Sequence, residues 1–464
     1  MRRFLLLCIF LLLGSFFSIN AQNGGQPVTV MGDSMAGSVV NGESVREVIG
    51  HVVLKQGNVV ITCNRAVQYL GRNNAILDGN VLVRQDTLTI RAQKGYYYGN
   101  QRIAECNTGV QLNDGKVILS AVNGNYYFKE QRAYFSDNVM LYDTVSTLTC
   151  KKLNYYKNEN RAVAVGNVKI TDSLNTIVAD SMIHLRGPKI TFAEHNVKIT
   201  NTANNITVFG DHLENYSQKK YTLINENPLL IQIDTTQQGK TDTLVISSKI
   251  MESFSDSSGK FIATDSVRIV QGGFASSNNY SIYYRQIGKI ITYKKSGEKV
   301  PPVMWYENSQ LSGDSVNIFL VDNRLSKIHV LFNGFILSQN KTFAQRFDQI
   351  SGDSLTIYFD STGINHTDVF GNVLSIYYTY EEDSPNGLIK ASAQRAKFLF
   401  KNKAVSDVKL YSDEKHSSSV ISEYYPENLV NKNELSFTIP AFIIFKGRPE
   451  KNDLLNKNKI FSGL

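Results

Sequence analysis

The sequence predicts an all-β protein built as a repeat array, and three observations carry that prediction. Six valines, Val52, Val81, Val110, Val139, Val168 and Val197, stand 29 residues apart without a slip. A fixed period in this range marks stacked units, none of which can bury its apolar face alone. Two residues after each valine another apolar residue follows: Leu54, Val83, Leu112, Leu141, Ile170 and Ile199. That alternation is the period of a half-buried strand, not of a helix. Finally, no proline occurs between Pro27 and Pro188. Proline removes a ladder donor, so its absence suits unbroken strand pairing.

Each unit opens on a pair such as Gly79-Asn80, Asp137-Asn138 or Gly166-Asn167, just ahead of the valine. The strand after it ends in a turn, where Asp114, Asp143 and Asp172 share one column. Asp suits a turn because its carboxylate can accept from backbone amides ahead of it. A second strand carries Ile61, Ile90, Leu119, Leu148, Ile177 and Ile206. Two residues later stand the small Cys63, Ala92, Ala121, Cys150 and Ala179, which predict a bend or the close approach of a second layer. A third stretch carries Tyr69, Tyr98, Tyr127 and Tyr156, expected to stack as a second inward column. The unit closes on Ala75, Ala104, Ala133 and Ala162.

Residues 1–21 read as a signal peptide: Arg2-Arg3, an apolar run from Phe4 to Phe17, then a small residue at Ala21. A retained anchor is the alternative. Residues 22–49, rich in Gly, Ser and Asn, read as an irregular lead-in. The first array then covers 50–223. A second, looser array covers 224–425, with starts at Asn227-Pro228-Leu229 and Asp265-Ser266-Val267. Its blocks at Ser312-Gly313-Asp314-Ser315 and Ser351-Gly352-Asp353-Ser354 resemble each other, and Pro301-Pro302 interrupts it. The whole reads as about ten units of roughly 29–39 residues. Residues 426–464 read as a polar C-terminal tail.

Charged residues are 19% and aromatics 11% of the 464, so this is a folding chain and not a disordered one. Without residues 1–21 the balance is 47 Lys and Arg against 41 Asp and Glu, or +6. That modest excess points to anionic surfaces more than to nucleic acid, because no run of Lys and Arg is interleaved with aromatics. Cys63, Cys106 and Cys150 lack a Cys-x-x-Cys spacing and read as small buried hydrophobes. The histidines share no metal-ligand spacing; His51 and His195 occupy the Asn-like positions of the repeat. The Gly-Asp-Ser triplets are not a nucleophile elbow and read as turns. The Asp column could supply the paired acids of a β-helix polysaccharide enzyme, yet one acid per unit at a turn is what repetition alone produces. No phosphate loop or dinucleotide fingerprint is present. No catalytic residue, metal or cofactor is therefore expected.

The Asn-Val repeat at Gly79-Asn80-Val81, Asp137-Asn138-Val139 and Gly166-Asn167-Val168, with Ala92, Ala121 and Ala179 in the second strand, resembles the OstA-like family. This is the family of periplasmic lipopolysaccharide-transport proteins that includes LptA and the N-terminal domain of LptD. The resemblance covers 50–223 well and 224–425 loosely. It implies an elongated, V-shaped β-jellyroll of stacked antiparallel strands whose apolar interior carries acyl chains. It also implies a place in the periplasm, or at the periplasmic face of the outer membrane, of a Gram-negative envelope. The groove lining is then expected at Val81, Val83, Ile90, Val110, Leu112, Leu119, Val139, Leu141, Leu148, Val168, Ile170 and Ile177. The implied partners are lipopolysaccharide or a related envelope lipid, and β-jellyroll transport proteins joined edge to edge by strand addition. End-to-end homo-oligomers are a further option. The rival readings are a structural or adhesive β-solenoid with a closed core, and the polysaccharide enzyme.

Overall fold

The computed structural model describes residues 26–235, 241–322, 324–401, 404–412, 419–430 and 437–457. The leader expected at 1–21 lies outside them. The described residues form 32 strands and only two short α-helices, Glu427–Val430 and Lys451–Lys457. The strand pairs run antiparallel. The all-β expectation holds, and no described helix is long and apolar enough to cross a membrane.

The pair ahead of each valine is not a hairpin turn. It is a corner inside a strand. Gly79 and Asn80 lie within the strand Asn74–Gln85, and both have positive φ, 76° and 51°. Two such residues face a single residue of the next strand: Asp78 pairs with Lys94 and Val81 with Ala92, leaving one residue between Lys94 and Ala92. The same two-against-one bulge recurs at Gly50-His51, Gly166-Asn167, His195-Asn196, Asp265-Ser266, Phe332-Asn333 and Gly371-Asn372. A bulge bends its strand and increases the local twist. Gly, Asn, Asp and His tolerate the left-handed region better than other residues, which is why they fill the pair. The bend expected at the small-residue column sits here, since Cys63 and Ala92 face the corner valines Val52 and Val81.

Each long strand therefore has two arms. Along both arms alternate side chains point inward. The six repeat valines are all buried, at most 6% exposed. The tyrosine column is a correction. Tyr69, Tyr98, Tyr127 and Tyr156 are half-buried and face outward. Their predecessors Gln68, Tyr97, Tyr126 and Tyr155 are the buried ones. Adjacent tyrosines cannot share a face of a strand, and the alternation selects the first of each pair. Guanidinium groups cover the outward rings instead: Arg72 over Tyr69, Arg132 over Tyr127 and Arg161 over Tyr156, the last two at 3.9 Å. The aromatic stretch is also no third strand, because it continues the second one, Leu88–Tyr98 in the unit of Val81.

The turn carboxylates do what the sequence suggests. Asp143 accepts from the Ser146 amide at 2.8 Å, and Asp172 from Leu174 and Asn175 at 2.8 and 2.7 Å. The three described cysteines are free and buried, and burial pushes the thiols of Cys63 and Cys106 up to about 11 and that of Cys150 to about 12.

The chain divides into two compact units, Met1–Ser136 and Asp137–Leu464. In the first, the expected irregular lead-in is ordered: Thr29–Met31 pairs with Val53–Lys55 and Ser34–Val40 with Glu43–Ile49. In the second, the expected polar tail is a strap. Residues 437–457 cross the outer face of the second-array strands, where Ile439 and Leu454 are buried, as is Val430 of the helix Glu427–Val430. Two buried glutamines hold it. Gln349 donates to the Phe437 carbonyl and accepts from the Ile439 amide, and Gln310 does the same for Ile443 and Phe445. Each side-chain amide thus replaces a ladder partner for the strap backbone. The composition suggested a tail because the strap's anchors are few, and its partners lie far away in sequence.

The corner makes a specific demand at Gly371. Its φ is +73°, and a Cβ there would lie 2.1 Å from Asp353 Oδ2, whose carboxylate also accepts from Asn372. Gly371→Ala is expected to lower stability by about 1–2 kcal/mol through backbone strain alone, with the clash adding to it. Thermal unfolding of the variant checks this; an unchanged Tm would contradict the corner's geometry.

Candidate functional site

The twelve positions expected to line a groove fall into two groups. Val81, Val83, Ile90, Val110, Leu112, Leu119, Val139, Leu141, Leu148 and Val168 are buried, while Ile170 and Ile177 are half-buried. In the first unit, which holds Val81, Val83, Ile90, Val110, Leu112 and Leu119, the interior is shut. The far ends of the two arms meet where Tyr97 donates its hydroxyl to Gln56 Oε1 at 2.5 Å. Gln56 in turn donates to the Gly99 carbonyl at 2.9 Å, and Arg102 to Asn58 at 3.0 Å. Burial pushes the Tyr97 phenol up to about 12, so it stays a donor at any ordinary pH.

The second unit is different. Between its arms lies a cavity of about 250 Å³. Leu244, Ile246 and Ile269 line it from one arm, and Phe261, Ala263, Tyr283, Ile290 and Ile318 from the other. Leu320, Leu325 and Phe274 stand at the ends of their strands. Why it opens here follows from the chain. At 16 residues after the repeat valine, unit after unit places a large buried ring: Tyr97, Tyr126 and Tyr155. The matching residue after Val267 is Tyr283, which lies at the cavity wall and has the small Ala263 and Ser281 for neighbours. The strands are also broken into shorter pieces here, as at Lys289–Tyr293 and Val303–Tyr306, with Pro301-Pro302 between them.

The cavity's polar groups are largely spoken for. Gln271 donates to Asp242 at 3.0 Å, and Ser281 to Asn278 at 2.9 Å. What the walls offer a guest is therefore hydrocarbon. An apolar cavity of about 150 Å³ already stays dry and takes up benzene. This one has room for a single extended hydrocarbon chain. Phe274 and Tyr306 also border a second space of about 40 Å³, whose far wall is Ile357, Phe359 and Phe400. The strap reaches the cavity's lip, because Arg448 donates to the carbonyls of Gly273 and Glu307.

Among the described residues no cluster of His, Cys, Asp and Glu has the arrangement of a metal site. His212, the histidine with the most acidic company, donates between Glu194 and Glu214. It lies on the outer face, away from the cavity. Burial lowers its affinity for a proton, but the two glutamates outweigh that and hold it above the usual range.

Residues 31–180 match the model of the OstA-like protein family. The resemblance carried by the Asn-Val repeat is shown over that stretch. That match covers residues 31–136 of the first unit and 137–180 of the second. The cavity lies beyond it, at 232–325. Among solved structures the chain is similar to LptH, the LptA-homologous periplasmic component of the lipopolysaccharide transport device from Pseudomonas aeruginosa. The two are 15% identical over 37% of this chain and 83% of that one, with a TM-score of 0.15. No curated protein matches.

Sequence reasoning placed the lining in the first array and missed Leu244, Ile246, Phe261, Phe274, Tyr283 and Leu320. The available signal was the loosening of the repeat after residue 201. Ala263 and Ala193 give a direct comparison, as both are buried on inward positions. Ala263→Leu has the cavity to grow into and should leave Tm unchanged or raise it. Ala193→Leu enters a filled core and should cost about 1–3 kcal/mol. Equal losses in both variants would mean that the space is not there.

Proposed function

We propose that the chain binds an acyl chain of an envelope lipid, lipopolysaccharide or a relative of it, and passes that lipid on without chemical change. The observation that carries this is the largely apolar cavity between the arms of the second unit, where Gln271, Asp242 and Ser281 are already hydrogen-bonded. Each methylene moved from water into such a space gains about 0.8 kcal/mol. A chain of several carbons is therefore held without any hydrogen bond to the protein. The OstA-like match over residues 31–180 supports a transport role in the same chain. The expected place of work is the periplasm or the periplasmic face of the outer membrane.

The interior positions of the first array, from Val81 to Ile177, are proposed to contact the same class of lipid. They form a packed core, so a lipid reaches them only when the arms part; in the first unit that breaks contacts such as Tyr97–Gln56. Phe274 and Tyr306 stand where the path would continue toward residues 357–400. The strand Ser34–Val40 suits docking of a β-rich partner, because it is exposed throughout and pairs with Glu43–Ile49 on one side. The closed structural solenoid is the second reading, favoured by the sealed interior of the first unit.

A photo-crosslinking residue at Leu244 should trap lipid in the envelope, and one at the outward Lys169 should not. Leu141 reports the path: a crosslink there means that the first array opens. Lipid trapped at neither Leu244 nor Leu141, with the fold intact, would overturn the transport reading and leave the closed solenoid.

A further inference from the structure

One corner of the array carries a large apolar side chain where the others do not. The first position of a corner is Gly, Asp or His at Gly50, Gly79, Asp137, Gly166, His195, Asp265 and Gly371, and it is Glu226 ahead of Asn227. At the corner of residues 332 and 333 it is Phe332, with a φ of +62°. A bulky side chain in that region is a strained outlier. Packing does not explain it, because Phe332 is 66% exposed. The corner thus holds a large apolar ring out in solvent, in a conformation that costs energy.

The surface around it is aromatic and basic. Following the pairing register across the outer face, Leu331 neighbours Ser354, Ser354 neighbours Phe370, Phe370 neighbours Arg395, and Arg395 neighbours Tyr411. Phe370 and Tyr411 are 43% and 42% exposed, and the Arg395 guanidinium lies 5.6 Å from the Tyr411 ring. One row away, Lys397 stands directly opposite Lys409. Like charges in that position repel and destabilise a sheet. A row further, Lys289 and Lys327 flank Phe319 and share its ring, at 5.4 and 4.4 Å. Burial, and then Lys327 and Lys289, hold the imidazole of His329 below its usual range. Acids are present but engaged: Asp368 with Lys397 and His366, Asp314 with Lys294 and Asn333, Asp353 with Asn372. Asp407, on the same face, accepts from Ser406. The excess is cationic, set among exposed aromatic rings.

We infer that this face of the second unit, with Phe332 at its edge and Arg395, Lys397 and Lys409 across it, docks onto the surface of an anionic phospholipid membrane. Aromatic rings settle at the boundary between headgroups and acyl chains, and Lys and Arg gain from the negative surface beside them. A membrane supplies both features at once. It would bury the exposed ring of Phe332 and offer an anionic partner to Lys409, since Lys397 already has Asp368 at 3.8 Å. This goes beyond lipid carriage in the cavity and would stand or fall without it.

The test is co-sedimentation of the full chain with vesicles. The wild type is expected to bind vesicles of phosphatidylglycerol and phosphatidylcholine in equal parts more strongly than vesicles of phosphatidylcholine alone. Lys397→Glu with Lys409→Glu should weaken the binding to anionic vesicles by about tenfold or more. Phe332→Asn carries the sharper test. Asn occupies the second position of most other corners, so this variant should unfold at a higher temperature while binding anionic vesicles less well. A residue with only a structural role would not move stability and binding in opposite directions. Three results would each overturn the inference: wild-type binding with no preference for anionic vesicles, unchanged binding by Phe332→Asn, or self-association of the chain in place of vesicle binding.

Discussion

The structure depends on the paired left-handed residues inside its strands. Each pair puts two residues of one strand opposite one of the next, which bends the strand and turns its two arms toward one another. Without the bend, Leu77 and Val83, at the two ends of one strand, could not both lie in the interior. The cost is paid in residue type. Asn80, Asn138, Asn167, Asn196, Asn333 and Asn372 all hold positive φ, and the carboxylates of Asp180, Asp314 and Asp353 accept from three of these asparagines. Repetition of this one local device, more than any long-range contact, sets where the core can be.

Given the corners, whether the interior is sealed or open depends on what fills the space between the arms. In the first unit large rings do so, and a hydrogen bond from Tyr97 to Gln56 joins the two ends. In the second unit the strands are interrupted and the inward residues include Ala263 and Ser281, so the arms leave a cavity. The strap lies over the outer face of these same strands and fastens the cavity lip through Arg448. The most ordered repeat therefore gives the tightest core, and the irregular part of the array gives the room for a ligand.

This division explains what could be read from the sequence. The 29-residue period exposed the strands, the inward valines and the turn aspartates, because each of these is a local property repeated in register. The inward ring column was misplaced by one residue, because Tyr97-Tyr98, Tyr126-Tyr127 and Tyr155-Tyr156 offer two candidate rows and only the observed pleat selects one. The cavity was not legible, since it arises from insertions that break the period. Nor were the strap and the basic outer face. Gln310 and Gln349 reach partners 135 and 90 residues away, and Lys397, Lys409 and Phe332 meet only through sheet register.

Lipid carriage by this chain rests on the interior of the second unit. The most direct test is mass spectrometry of whatever is extracted from the chain after gentle purification from its native envelope, with Ala263→Leu purified in parallel. The account predicts an acylated lipid from the wild type and clearly less of it from the variant whose cavity is filled. A wild-type protein that emerges free of lipid, or that carries the same lipid load as Ala263→Leu, would contradict it.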